Sequence, residues 1–400
     1  MCNILPNLGY YGEYNRILDI ILRFYYKGLY MLLFTPGPTP VPEAVRVAMS
    51  APTLHHRTPE FEAIFKSARD SLLKLFGMKE AIMLASSGTG AMEAAIINLS
   101  KGKTLTINAG KFGERFGKIV KAHNLELVEI KYEWNTPAIV EDVLKALKEN
   151  GDIDSIAIQI CESAGGLRHP VEEIAKAVKE FNKDIIVIAD GITAVGVEPI
   201  DITNIDALIA GSQKALMLPP GLAMLGLSEA ALNRIGNGKG YYFNLASEIA
   251  KQQINTTAYT APTTLIIGLN KIFDLIEDFG GLDKLYMVTK ARHKALLAAL
   301  KAIGLEIYPK SAALAMATII DENSEDIRKL LKTKYNVNVA GGQDHLKGKI
   351  FRINNMGLIE NSDMLWVVDS IESALEDLGR VKYSGIGAKV YSQTFKLELK

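Results

Sequence analysis

Between residues 80 and 227 short apolar runs alternate with stretches whose apolar positions recur every three to four residues. The runs near 81–85, 103–108, 125–130, 154–160, 184–190, 206–210 and 222–226 predict strands. Several, such as Ile185-Ile186-Val187-Ile188-Ala189, are apolar throughout, as in strands buried on both faces of a parallel sheet. Helical periodicity lies between most of them, as over Lys111 to His123 and Val171 to Phe181. This alternation predicts an α/β fold with a mostly parallel sheet covered by helices.

A long helical pattern from about Leu282 to Ile303 then leads into a smaller α/β unit. Its strands are expected near 305–308, 314–320, 336–340 and 349–354, and its helices near 325–334 and 362–378. The pattern thus divides into a large domain over 46–280 and a small C-terminal domain over 281–400. Thr35-Pro36-Gly37-Pro38-Thr39-Pro40-Val41-Pro42 is turn-rich and extended, since each proline restricts itself and its predecessor, so 31–45 is expected to be an arm across the body. The tail after Leu378 gives no reading.

Composition narrows the function classes. With 400 residues, 48% of them hydrophobic, the chain can bury a large core. Lys plus Arg and Asp plus Glu both number 45, which leaves no electrostatic footprint for nucleic acid or an anionic membrane. Two cysteines, Cys2 and Cys161, argue against a disulfide framework and for a reducing cytoplasm. In the N-terminal 1–30 the apolar run Ile17 to Tyr26 is broken by Asp19 and Arg23, too short and charged for a membrane span, and no secretory cleavage pattern follows. His55-His56 are sequence neighbours without a third ligand at matching spacing, so no metal is expected.

The candidate chemistry lies at strand ends. Gly211-Ser212-Gln213-Lys214 follows the run Ala207 to Ala210, which puts Lys214 in a turn where ligands of α/β sheets gather. A lone lysine there is more often a surface residue. Asp190 closes the preceding apolar run, and Ser87-Gly88-Thr89-Gly90 opens a helical pattern after another, leaving backbone N–H groups for a phosphate. An amine, a carboxylate and a phosphate loop together suit pyridoxal phosphate: the aspartate keeps the pyridine nitrogen protonated and the lysine carries the aldehyde. A nucleotide-binding dehydrogenase is the competing reading of Gly88-Thr89-Gly90. Glu93 stands where its third glycine belongs, and the strand ending at Asn108 lacks the ribose-binding acid.

The motifs SSGTGAMEA, NAGKFGER, AD at a strand end, GSQKAL followed by PPGLA, and GKIFRI occur in this order between about Phe34 and Leu378. In this the chain resembles the class V aminotransferases of fold type I, and within them the alanine-glyoxylate and serine-pyruvate (or serine-glyoxylate) group. The resemblance implies a pyridoxal 5'-phosphate enzyme, a homodimer with shared active sites, moving an amino group from a small amino acid such as alanine or serine to glyoxylate or pyruvate. It gives Lys214 and Asp190 the catalytic roles. Ser87, Gly88, Thr89, Ser163 and Gln213 would bind the cofactor, Phe112 would stack on its ring, and Thr257 and Thr260 would reach the phosphate of the other subunit's cofactor. Arg352 would hold the substrate α-carboxylate. A helix N-cap is the plainer role for Thr260.

Four positions depart from the family pattern: Ala164 and Gly165, where Ser-Thr is usual, and Asn354-Asn355, where Gly-His is usual. The alternatives left open are an aminophosphonate transaminase or a lyase on the same fold, and a non-catalytic subunit. A cysteine desulfurase is disfavoured because Cys161 adjoins a strand end. Because the resemblance begins just after Met31, and Lys27-Gly28 can be encoded by a ribosome-binding sequence, residues 1–30 are read as a doubtful extension ahead of a start at Met31.

Overall fold

The computed structural model describes residues 31–400, and the doubtful extension over 1–30 lies outside them. Seven strands form the large sheet, in the spatial order Glu80–Leu84, Ala223–Leu227, Ala207–Gly211, Ile186–Asp190, Ile153–Gln159, Lys103–Asn108 and Glu126–Lys131. Only Ala223–Leu227 runs against both of its neighbours, so the other six strands point the same way. Burial follows the sequence pattern. Ile186–Asp190, Ala207–Gly211 and Ala223–Leu227 are buried at every position, whereas the edge strand Glu126–Lys131 mixes charged and apolar residues and stays partly exposed.

Successive residues of each strand enter opposite layers. Ile158, Val187 and Ala189 pack with the helix Pro59–Phe76, while Ala157, Ile186 and Ile188 pack under the helices Gly88–Leu99 and Lys111–Ala122. Helix Pro59–Phe76 has sharp ends for local reasons: Thr58 Oγ1 accepts from Phe61 N–H, Pro59 opens the first turn, and Gly77 leaves in the left-handed conformation.

The smaller sheet has five strands in the order Leu32–Phe34, Val337–Gly341, Ile350–Asn354, Met316–Ile320 and Glu306–Ile307. The first residues of the N-terminal arm are therefore an edge strand of the C-terminal unit, parallel to Val337–Gly341. From there the chain crosses to the large sheet. The tail after Leu378, unreadable as sequence, forms the helix Ile386–Glu398, whose Tyr391 is fully buried in the core built by the helix Gly281–Ala302.

Most strand ends fall within a residue or two of those expected, and one boundary bears on the site. The strand expected over 154–160 ends at Gln159, and Cys161–Glu162 pairs with Leu167–Arg168 in a separate two-stranded ribbon. Cys161 therefore starts the ribbon and does not close the strand.

Candidate active site

All six co-directed strands of the large sheet finish at one edge, so the loops after Leu84, Asn108, Gln159, Asp190 and Gly211 gather there. Lys214 stands in the turn after Gly211, half-buried, with Nζ bonded to the Pro36 carbonyl. Thr39 completes the attachment: its N–H donates to the Gln213 carbonyl at 3.1 Å and its hydroxyl to the Lys214 carbonyl at 2.7 Å. Burial pulls the Lys214 pKa down to about 8, with Arg352 pulling the same way and Asp190 opposing. The amine is still mostly protonated at neutral pH, but its neutral form is far more accessible than that of an ordinary lysine, which suits an amine that attacks a carbonyl.

Asp190 is 5% exposed at its strand end, and Oδ1 accepts from Ile192 N–H at 2.9 Å. Desolvation lifts its carboxyl to about 6, against the Ile192 bond and the cations Lys214 and Arg115. A cationic partner would return it to the ionised form.

Ser87 caps the helix Gly88–Leu99 without a side-chain bond, and the N–H groups of Gly88 and Thr89 have no partner among the described residues. Such a terminus favours an anion. Thr89 Oγ1 accepts from Arg115 at 2.7 Å, and the same guanidinium lies 4.7 Å from the centre of the half-buried Phe112 ring. Arg115 thus ties the phosphate-type loop to the aromatic. Sequence reasoning missed it, although it lies one helical turn after Phe112.

Glu162 was missed too. It is fully buried, and its carboxylate accepts from Phe112 and Gly113 N–H at 2.9 Å each and from Ala164 N–H at 3.0 Å. Desolvation raises its pKa to about 7, while the three N–H bonds favour the anion. A side chain on Gly110 would collide with this carboxylate, which explains the glycine there.

Arg352, on the strand Ile350–Asn354, is 8% exposed and has no carboxylate partner among the described residues. Nη1 donates to the Ser163 carbonyl at 2.6 Å, and Nε and Nη2 to the Gly341 carbonyl at 3.2 and 2.7 Å. Burial lowers its pKa to about 10.

The structure therefore gathers Lys214, Asp190, Arg352, Ser163, Gln213 and Phe112 around one strand-end edge, with Ser87, Gly88 and Thr89 beside them. Ser163 enters through its carbonyl, and Gln213 holds a buried Oε1 without a partner among the described residues. Thr257 and Thr260 are not bonded into that group. The Thr257 hydroxyl bonds the Tyr259 carbonyl, and Thr260 is exposed. Nor is Thr260 a helix cap: the next helix starts at Thr263 with Pro262 before it and no side-chain bond.

Three of the four departures from the family pattern, Gly165, Asn354 and Asn355, have structural explanations. A side chain at Gly165 would strike the Trp134 carbonyl. Asn354 closes a local turn with Met356, and Asn355 is absorbed elsewhere: Oδ1 accepts from the buried Arg292 at 2.7 Å, while Nδ2 donates to the carbonyls of Leu314 and Thr289. The pair braces the small domain. Cys161 is buried with its thiol pushed up to about 12 by desolvation, so it is not a thiolate nucleophile. The rings of His55 and His56 lie 4.7 Å apart, and no cluster of three metal-ligating side chains occurs among the described residues.

These groups fit pyridoxal phosphate. Free N–H groups at a helix start, a half-buried aromatic ring, a buried carboxylate and a lysine of lowered pKa each match one part of that molecule.

Known proteins agree. Residues 31–357 match the family described as Aminotransferase class-V. An uncharacterized aminotransferase of Helicobacter pylori is 49% identical over 366 residues, 91% of this chain and 99% of that one. A serine–glyoxylate aminotransferase of Hyphomicrobium methylovorum is 32% identical, over 91% of this chain and 94% of its own. The crystal structure of a subgroup IV aspartate aminotransferase from Thermus thermophilus superposes with a TM-score of 0.81 at 30% identity, covering 86% of this chain and 99% of that chain. The chain accordingly belongs to the class V aminotransferase family of fold type I, and is a pyridoxal phosphate-dependent transaminase.

Proposed function

We propose that the enzyme transfers the amino group of a small amino acid, alanine or serine, to a small 2-oxo acid, glyoxylate or pyruvate. The observation that carries this is Arg352. It is a buried guanidinium whose partners among the described residues are carbonyl oxygens and no carboxylate, and its planar fork suits a carboxylate. A substrate α-carboxylate supplies that anion. The similarity to a serine–glyoxylate aminotransferase supports the choice of small substrates.

The bound cofactor supplies an electron sink that acidifies the substrate Cα–H. Asp190 would keep the ring nitrogen protonated, and Phe112, Ser87, Gly88, Thr89, Ser163 and Gln213 would hold the cofactor. Lys214 would take the proton from the substrate Cα as general base and then deliver it to the cofactor as general acid. Arg352 orients the carboxylate so that this proton faces Lys214.

A homodimer fits the same picture. Thr257 and Thr260 flank Tyr259 in sequence, whose ring packs against Tyr241, 83% exposed, and Tyr242, and in a dimer the two threonines would meet the cofactor phosphate of the partner subunit. No helix among the described residues is long and apolar enough to cross a membrane, in keeping with cytoplasmic placement.

The test is a donor-by-acceptor panel on the purified protein: alanine, serine, aspartate and 2-aminoethylphosphonate against glyoxylate and pyruvate. Fastest turnover is expected with alanine or serine. A clear preference for 2-aminoethylphosphonate, or cleavage without transfer, would replace this reading by the aminophosphonate transaminase or lyase alternative.

A further inference from the structure

Gln159 ends the strand beside that of Asp190, and the two residues are paired in register on parallel strands. Side chains alternate across a sheet, so Gln159 and Asp190 face the same layer as Ala157, Ile186 and Ile188, the one covered by the helix Lys111–Ala122. That helix presents a glycine there. A Cβ on Gly113 would stand 3.2 Å from Gln159 Oε1, so the amide lies under the first turn, next to Phe112.

The hydrogen-bond accounting at this spot does not close. Gln159 is 0% exposed, and neither Oε1 nor Nε2 has a partner among the described residues. Buried amides are rarely left so. Among the described residues Asp190 receives a single bond, from Ile192 N–H, although an ionised carboxylate accepts about four. A donor without an acceptor thus stands beside an acceptor short of donors, on strands about 4.8 Å apart.

We propose that Gln159 is a positioning residue for Asp190, its Nε2 donating to the carboxylate when that carboxylate is ionised opposite the cofactor's ring nitrogen. This rests on the reading of Asp190 as the ring-nitrogen partner. The bond fixes the carboxylate plane and offsets part of the cost of burying its charge. The charged groups already acting on Asp190 are Lys214 and Arg115, with Glu162 opposing them. A neutral amide adds a donor without adding charge.

Thr106 provides a control. Its hydroxyl is likewise buried without a partner among the described residues, under the same helix near Gly117, but it pairs with Ala157 and not with the strand of Asp190. Cofactor-stripped wild type, Gln159→Met, Gln159→Asn and Thr106→Val are titrated with pyridoxal phosphate by fluorescence at several pH values, with melting of the stripped proteins as the check on folding. Gln159→Met is expected to melt no lower than wild type, since an apolar side chain replaces an unpaired amide. It should nonetheless bind the cofactor about tenfold more weakly, the scale of one charge-assisted bond, and lose it at a higher pH on acidification. Gln159→Asn, whose amide is drawn back by one methylene, should show the same loss, and Thr106→Val none. Wild-type affinity and pH profile in either Gln159 variant would overturn the proposal. So would an equal loss in Thr106→Val. Failure of the wild type itself to bind would instead remove the cofactor assignment, so the two failures are distinguishable.

Discussion

Arg352 on the small sheet donates to the carbonyl of Ser163, in the loop that joins the two strands of the ribbon, 2.6 Å away across 189 residues of sequence. The arginine proposed to hold a substrate carboxylate thus also ties the small sheet to the ribbon.

Arg352→Lys removes this tie together with the paired donors that a carboxylate needs. A loss of about 2 to 4 kcal/mol in the capture of alanine or serine is expected, from charge-assisted bonds in a desolvated pocket. Amines without a carboxylate should be nearly unaffected. Titration with each, following the cofactor absorbance, is the measurement; wild-type handling of alanine and serine would remove Arg352 from the anchor role.

Lys214 and Asp190, the two groups proposed to be catalytic, should destabilise the cofactor-free protein at neutral pH. Lys214 has its pKa lowered from 10.5 to about 8, so between those values the unfolded state binds more protons, and this group's contribution to stability rises with pH. Below about 8 the native state bears the full cost of a buried charge. Asp190 has the opposite shift, from 3.8 to about 6, and its contribution to stability falls as pH rises through that window. Lys214→Met should therefore melt higher than wild type at pH ~7 when cofactor-free, and show a smaller rise toward alkaline pH. A lower melting temperature at neutral pH would contradict this.

Gly37 should not tolerate a side chain. Its φ is +104°, and a Cβ there would stand 2.5 Å from Lys214 Nζ. Gly37→Ala is expected to cost about 1 to 3 kcal/mol in backbone strain and to displace the lysine amine. Covalent attachment of pyridoxal phosphate, read by reductive trapping and mass analysis, should fall well below wild type even where the variant remains folded. Normal trapping would mean that the arm yields without moving Lys214.

Glu162→Gln turns one of the two acceptor oxygens into a donor facing backbone N–H groups. The expected cost is about 1 to 3 kcal/mol in thermal stability. Because Phe112 N–H is among the donors, cofactor affinity should fall in parallel. A variant with unchanged melting and unchanged affinity would show that the helix start is held without the charge.

The local chemistry of the site was legible in the sequence. The apolar runs fixed which strands are buried, and the residues just beyond them, Asp190 and Lys214, needed only strand and turn to reach the sheet edge. The Ser87-Gly88-Thr89 turn is equally local, since a helix start exposes its N–H groups whatever packs around it. Tertiary structure alone decided which distant groups meet. Pro36 and Thr39 reach Lys214 from 178 and 175 residues away, and Glu162 lies under a helix 50 residues earlier. No periodicity marks such pairs, because they are set by the order of strands in the sheet and by which side chain is buried without a local partner. Gln159 shows the same limit: as sequence it is one polar residue ending a strand, and only its register with Asp190 gives its amide a neighbour that needs a donor.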